Sequence, residues 1–436
     1  MTDMCSDGSL SATNSTRVVH LCTSSGISGG GAARASYRIH RSLRERGFQS
    51  TVLTLSSTSD EPDVHLIGRT TTTERLRGKV GQQFEALVLK YARPSSGNYW
   101  TSGLVGPLLV HEHPDVTSAD AIMLYWLGAG FLSTAHIGKI LRLGKPVIWR
   151  LSDMWAFTGG CHYTEGCERY RERCGCCPQL QSSQRMDLSW LGWQRKHLAW
   201  RTSALTVVCP STWMADCVSR SSLLSSVDVR VIHTGVDASV YRPLDRLLAR
   251  NLLGLPPDAP VVLMGADGLS YSGGRKGAVH ALEAIRRVRE KIPDLHLAVF
   301  GTSRIPQDIP GTAFGTVQND RLMALIYASA DAFVSTSLED NLPNTLLEAL
   351  ACGIPIVAFA IGGVLDAVRD GYTGLLAAPR DSLALASQIE RCLLDKEQHR
   401  AMAENARNDA LSRFNLSRQG AQYAALLEEL CSRRRV

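Results

Sequence analysis

The chain has 436 residues, 44% of them hydrophobic and 20% charged, which is the length of two α/β domains and the composition of an ordinary soluble protein. No apolar run reaches the ~18 residues of a membrane span, and residues 1–16 are polar, without the apolar core of a secretory signal, so a cytoplasmic location is expected. The net charge of +6, with Arg outnumbering Lys, suits an anionic nucleotide or a lipid-phosphate surface and is too small to argue for nucleic acid.

Residues 1–16 read as a disordered N-terminus. Apolar runs at 18–22, 51–55, 121–125, 146–150, 205–208 and 229–232 have the length of buried parallel strands, and helices are expected after Gly31, Phe131, Asp187 and Ser211. This alternation predicts a Rossmann-like domain over 17–240, a parallel sheet covered by helices on both faces. Gly26-Ile27-Ser28-Gly29-Gly30-Gly31 follows the first strand and opens a helix. It lacks the GxGxxG spacing and the acidic strand end of an NAD fingerprint, which argues against a dehydrogenase, while three consecutive glycines allow a ligand close to the backbone.

Residues 158–180 form a Cys-rich insertion, with five of the twelve cysteines between Cys161 and Cys177. Disulfides are not expected in a cytoplasmic chain, and Cys161, Cys167, Cys174 and Cys177, spaced Cys-x5-Cys-x6-Cys-x2-Cys, have the ligand count of a closed structural zinc site. Cys176 or His162 is an alternative ligand, and free thiols or an iron–sulfur cluster are alternative states. The remaining cysteines are expected to pack as small apolar side chains.

After the turn His233-Thr234-Gly235-Val236-Asp237 and the connection Tyr241-Arg242-Pro243, a second Rossmann-like domain is expected over 241–410, with strands at 261–264, 295–300, 332–335, 356–358 and 374–376. Arg275 and Lys276 lie in a Gly-rich loop ahead of a helix expected at 278–290. Two cations at a helix start oppose its dipole by up to about 1 kcal/mol, which suggests that an anion is meant to sit there; two solvated loop charges are the bland alternative. In 336–358, TSLEDNLPNTLLEALACGIPIVA, Asp340 precedes Glu348 by eight residues across a strand-to-helix junction. Pro343 suits the first helical position. The main-chain N–H groups near Asn341, Leu342, Asn344 and Thr345 then face the carboxyl edge of the sheet, where phosphate or sugar oxygens are favoured, and Glu348 can accept from the vicinal hydroxyls of a ribose. An N-capping Asp and a solvated helical Glu would explain either acid alone, but not the pair with the rest of the segment. Residues 411–436 read as helix, ending in the cationic SRRR at 432–435, a solvated tail or a membrane contact.

The segment 336–358 resembles the acid-x7-acid signature of the GT-B fold retaining glycosyltransferases of family 4 (group 1 glycosyltransferases), in the branch that reads DNLPNT and serves bacterial capsule, exopolysaccharide and colanic-acid synthesis. The resemblance runs over nearly the whole chain. It implies two Rossmann-like domains facing a central cleft, with the last helix crossing back to the first domain. It further implies that Asp340 sits by the donor sugar, that Asn341 and Leu342 meet sugar and diphosphate through the backbone, and that Glu348 holds the ribose. Arg275 and Lys276 then neutralise the diphosphate, and Gly29, Gly30 and Gly31 line the cleft opposite. Most relatives carry Glu where this chain has Asp340, and Glu339 is adjacent. Where relatives often read HW and HDMW, this chain has Tyr125-Trp126 and Ser152-Asp153-Met154-Trp155. That leaves the Tyr125 hydroxyl as the donor contact. The implied activity is transfer of a sugar from a UDP- or GDP-sugar to a hydroxyl of a saccharide or lipid-linked saccharide acceptor, without a catalytic metal, with acceptor contacts in 70–114. A catalytically silent nucleotide-binding partner of a polysaccharide assembly complex, and a sugar-nucleotide epimerase, are the alternatives.

Overall fold

The computed structural model describes residues 16–26, 30–58, 61–68, 72–92, 99–106, 109–201, 205–265, 270–271 and 274–434, without the side chains of 73, 74, 77, 91 and 92. The polar N-terminal stretch up to residue 15, Gly29 and Arg435 lie outside these residues.

Two parallel sheets organise the chain. The first contains β1 (Arg17–Ser25), β2 (Gln49–Ser57), β3 (Val64–Leu66), β4 (Ala121–Leu124), β5 (Val147–Arg150), β6 (Leu205–Cys209) and β7 (Asp228–Val231), in the order β3-β2-β1-β4-β5-β6-β7. The second contains β8 (Val261–Gly265), β9 (His296–Phe300), β10 (Gly311–Ala313), β11 (Ala332–Ser335), β12 (Ile356–Phe359) and β13 (Gly374–Ala377), in the order β10-β9-β8-β11-β12-β13. Strands β4, β5, β6 and β12 are buried along their whole length, as parallel strands covered on both faces must be. The edge strands β3 and β10 have three residues each, too short to leave a periodic signal, and were not expected.

Strand order reverses between β1 and β4 in one sheet and between β8 and β11 in the other. At such a switch point the following loops diverge to opposite faces and leave a crevice beyond the carboxyl ends of the strands. The helix start at Gly30 and the loops carrying Trp126, Lys276 and Asp340 follow these four strands.

Alternation along β4 divides the core of the first lobe. Ile122 and Leu124 join one apolar cluster with Trp149 and Trp155, whereas Met123 joins the other with Ile39 and Leu43 of the helix Gly30–Arg44. The helix Lys396–Arg413 packs on the second lobe, where Phe414 is buried. The chain then turns at Asn415, whose side chain caps Ser417, and the helix Leu416–Ser432 buries Tyr423 and Leu427 in the first lobe. Val236 donates its N–H to Phe414 O at 2.7 Å beside this crossing.

Candidate active site

β11 delivers Thr336–Pro343 to the crevice. The helix Asn344–Ala351 starts one residue later than expected, with Pro343 as its N-cap rather than its first residue. No side chain caps this helix, because Pro343 has no polar atom to offer. Its first amides therefore retain their donor capacity at the crevice edge.

Asp340 is buried and accepts from Lys276 Nζ at 2.7 Å and Ser337 Oγ at 3.1 Å, with Arg275 Nη1 3.1 Å away. Burial alone would raise its pKa; Lys276 and Arg275 outweigh burial and hold the carboxyl well below the usual range. Two cations against one carboxylate leave a net positive charge on the cluster. Arg275 also donates to Glu339 O at 2.7 Å, and its guanidinium lies 4.0 Å over the Tyr163 ring. Adjacent Glu339 faces the other way. Its carboxylate accepts from Thr164 N, Thr164 Oγ1 and Glu165 N at 3.3, 3.1 and 2.8 Å, across the cleft. Asp340, not Glu339, therefore meets the cation pair.

Glu348, one turn into the helix, is almost wholly buried. One oxygen accepts from Tyr327 OH at 3.2 Å, and the other lies 3.5 Å from Arg34 Nη1 of the opposite lobe. Burial raises its pKa, against the pull of Arg34 and Arg38. A third acid, Asp320, accepts from Tyr241 OH at 3.0 Å and lies 3.9 and 3.8 Å from Arg34 and Arg38. Motif spacing did not single out Arg34, Arg38, Asp320, Tyr241 or Tyr327, because three segments distant in sequence contribute them. A Cβ on Gly31 would lie 3.4 Å from Asn344 Nδ2, so the glycine loop and this helix meet across the cleft.

Asn341 spends its side chain on the opposite lobe, accepting from Ser211 Oγ at 2.7 Å and donating to Leu151 O and Ser152 O at 3.2 and 3.3 Å. Its N–H donates to Asp340 Oδ1 at 3.1 Å. The Leu342 side chain is buried in the second core, while Thr345 lies half-buried in the first turn of the helix.

The expectation for Tyr125 is corrected. Its ring continues the β4 alternation into the buried layer under the helix Leu416–Ser432, and its hydroxyl sits 2.8 Å from His20 Nδ1. Tyr125 still lines the strand-end pocket, together with Trp126, Ser152, Asp153 and His162, but its hydroxyl is turned away to His20. His162 was considered as a substitute metal ligand. The structure commits it elsewhere: Nδ1 lies 2.6 Å from Asp153 Oδ2 and 3.2 Å from Trp126 Nε1, and Nε2 lies 2.9 Å from Thr101 Oγ1. The Cys-rich insertion thus brings an imidazole to a strand-end pocket where neither strand supplies one.

Cys161, Cys167, Cys174 and Cys177 line one small pocket. Among the described residues, no three His, Cys, Asp or Glu side chains already stand close enough to hold a metal ion.

Both lobes match known families. The family model for Glycosyltransferase Family 4 matches residues 29–240, and that for Glycosyl transferases group 1 matches residues 272–409. Over 240 residues the chain is 28% identical to sulfoquinovosyl transferase SQD2 of Arabidopsis thaliana, covering 52% of this chain and 45% of that protein. Over 180 residues it is 32% identical to the D-inositol 3-phosphate glycosyltransferase of Mycobacterium tuberculosis H37Ra, covering 38% of this chain and 36% of that protein. The chain thus spans less than half the length of these curated relatives. The crystal structure of Anabaena HepE in complex with UDP and glucose superposes with a TM-score of 0.62 at 18% identity, covering 95% of this chain and 100% of that one; it shares the two-lobed GT-B fold.

Proposed function

The chain carries a family 4 glycosyltransferase domain in one lobe and a group 1 glycosyl transferase domain in the other, and on that premise we propose that it moves a sugar from a nucleoside-diphosphate donor, UDP-linked in our reading, to an acceptor hydroxyl with retention of configuration. The observation that carries this reading is the half-buried cation pair Arg275–Lys276 on buried Asp340, net positive, beside the uncapped helix that carries buried Glu348. A leaving diphosphate gains negative charge as the glycosidic bond breaks, and preorganised cations plus helix amides stabilise that charge without a divalent metal. Asp340 fixes the two cations and orients the sugar hydroxyls of the donor. Glu348 keeps a ribose by accepting from its hydroxyls, with Arg34 withdrawing slightly from its 3.5 Å approach. Departing phosphate and incoming hydroxyl then interact on one face of the sugar, so no enzymic nucleophile is required.

The acceptor in this reading is a saccharide or lipid-linked saccharide of bacterial surface polysaccharide synthesis. The helix Thr72–Ala92 supports a membrane-proximal acceptor: Leu76, Val80, Phe84 and Leu87 are exposed along one of its faces, with Arg75, Lys79 and Lys90 on the same helix. Among the described residues, no helix is long and apolar enough to cross a membrane.

A thermal-shift titration with UDP, GDP, ADP and dTDP, run beside Glu348→Ala, tests the donor site. Saturation at a hundred times Kd should stabilise the native state by about 2.7 kcal/mol. We expect UDP to shift the melting temperature and the variant to lose the shift; no shift with any nucleotide would sink the transferase reading.

A further inference from the structure

We propose that Cys161, Cys167, Cys174 and Cys177 bind one zinc ion in a closed tetrahedral site, and that this ion braces the loop that grips the donor-side strand end across the cleft.

The four thiols come from a segment with little regular structure of its own, only short helical turns at Trp155–Phe157, Arg169–Arg171 and Pro178–Leu180. Yet all four line the same cavity, whose other walls include Gly159, Gly160, Trp100 and Thr158. The sulfurs stand on the cavity wall rather than at a common centre. Zinc binding would draw the four sulfurs together to the ~2.3 Å of a zinc–thiolate bond.

Burial raises the pKa of the Cys161, Cys174 and Cys177 thiols, so a metal ion would have to displace their protons. Four thiolates around one Zn²⁺ would carry two net negative charges, and Lys196, fully buried behind Thr158, is the nearby cation placed to offset them. Its ammonium donates to Thr158 O at 3.0 Å and to Trp155 O. Binding releases the four thiol protons to solvent.

The fifth cysteine is excluded by its own geometry. Cys176 sits in a left-handed backbone conformation at φ 45°, directs its thiol to Ser183 O at 3.3 Å and is absent from the cavity wall.

Between the first two ligands the chain carries His162 to Asp153, Tyr163 to the Arg275 guanidinium, and the Thr164 and Glu165 amides to the Glu339 carboxylate. Anchoring Cys161 and Cys167 to Cys174 and Cys177 fixes both ends of this grip. The metal assignment stands by itself; only the consequence for nucleotide affinity rests on the transferase reading.

The test is elemental analysis of the full chain purified without chelator, beside Cys167→Ser, Cys176→Ser and the double variant Cys174→Ser/Cys177→Ser. We expect about one zinc per chain in the wild type and Cys176→Ser, and less than about a tenth in the double variant. To guard against misfolded variants, a mercurial thiol titration of the wild type should release zinc in step with thiols modified, and a cobalt-substituted protein should show thiolate-to-metal charge-transfer absorption. Less than about a tenth of an equivalent of zinc in the wild type, iron in its place, or zinc lost from Cys176→Ser would overturn the assignment. Zinc present with unchanged UDP affinity in Cys167→Ser would overturn the bracing role alone.

Discussion

Asp340 and Glu348 show how one sequence spacing gives two carboxylates opposite environments. Asp340 faces two cations 2.7 and 3.1 Å away and is held ionised. Glu348 lies deeper, against Tyr327, and burial lifts its pKa. Lys276 makes the shortest charged contact in the cluster. Its replacement by Ala removes one charged hydrogen bond, about 1.5–3 kcal/mol, and should lower kcat/KM by roughly 10–150-fold. Steady-state kinetics with the donor identified by the nucleotide titration checks this, and unchanged turnover would remove Lys276 from the chemistry. Tyr125 stands where relatives often carry His; it lines the strand-end pocket, but side-chain parity along β4 takes its hydroxyl to His20. His162 entered the pocket from a loop whose path no local pattern encodes.

Two elements carry the site, and each depends on a neighbour. The loop before the helix Asn344–Ala351 is locked by Gly363, whose N–H donates to Asp340 O at 3.0 Å. A Cβ at Gly363 would fall onto the carbonyl oxygen of Asn341, so backbone rather than a flexible side chain would have to move. Gly363→Ala should lower the melting temperature and weaken UDP binding together, by at least the ~1–3 kcal/mol typical of overpacking; calorimetry with and without UDP separates the two effects, and a wild-type melting curve would refute the packing argument. The exposed face of the helix Thr72–Ala92 makes a different prediction. Phe84→Glu should reduce co-sedimentation with anionic phospholipid vesicles while leaving transfer to a soluble acceptor intact. Equal co-sedimentation would remove this helix from any membrane contact.

At the scale of the whole molecule, the lobes touch through polar contacts at the cleft. Asp366 of the second lobe accepts from Thr212 N at 3.0 Å and from Thr212 Oγ1, and Ser211 donates to Asn341. Interlobe contacts of this kind set the balance between open and closed forms. Asp366→Ala should shift the balance toward the open form, raising the radius of gyration in small-angle scattering and weakening nucleotide binding by ~10-fold or more. A scattering profile identical to the wild type would mean that the contact does not govern closure.

Much of the architecture was legible because parallel strands buried on both faces leave uninterrupted apolar runs, as at β4, β5 and β12, and because helix-start chemistry marks the strand-end loops. The cation pair, the two acids and the four cysteines were legible as residue types at fixed spacings, since local chain geometry limits where such neighbours can go. The sequence by itself therefore determined the two parallel sheets and named the charged groups of the cleft. Tertiary structure decided which groups meet: Lys276 with Asp340 rather than Glu339, Arg34 with Glu348, His162 with Asp153, and the cysteines around one cavity. These pairings join residues tens to hundreds of positions apart. They are fixed by strand order, side-chain parity and lobe packing, none of which is written in a local window.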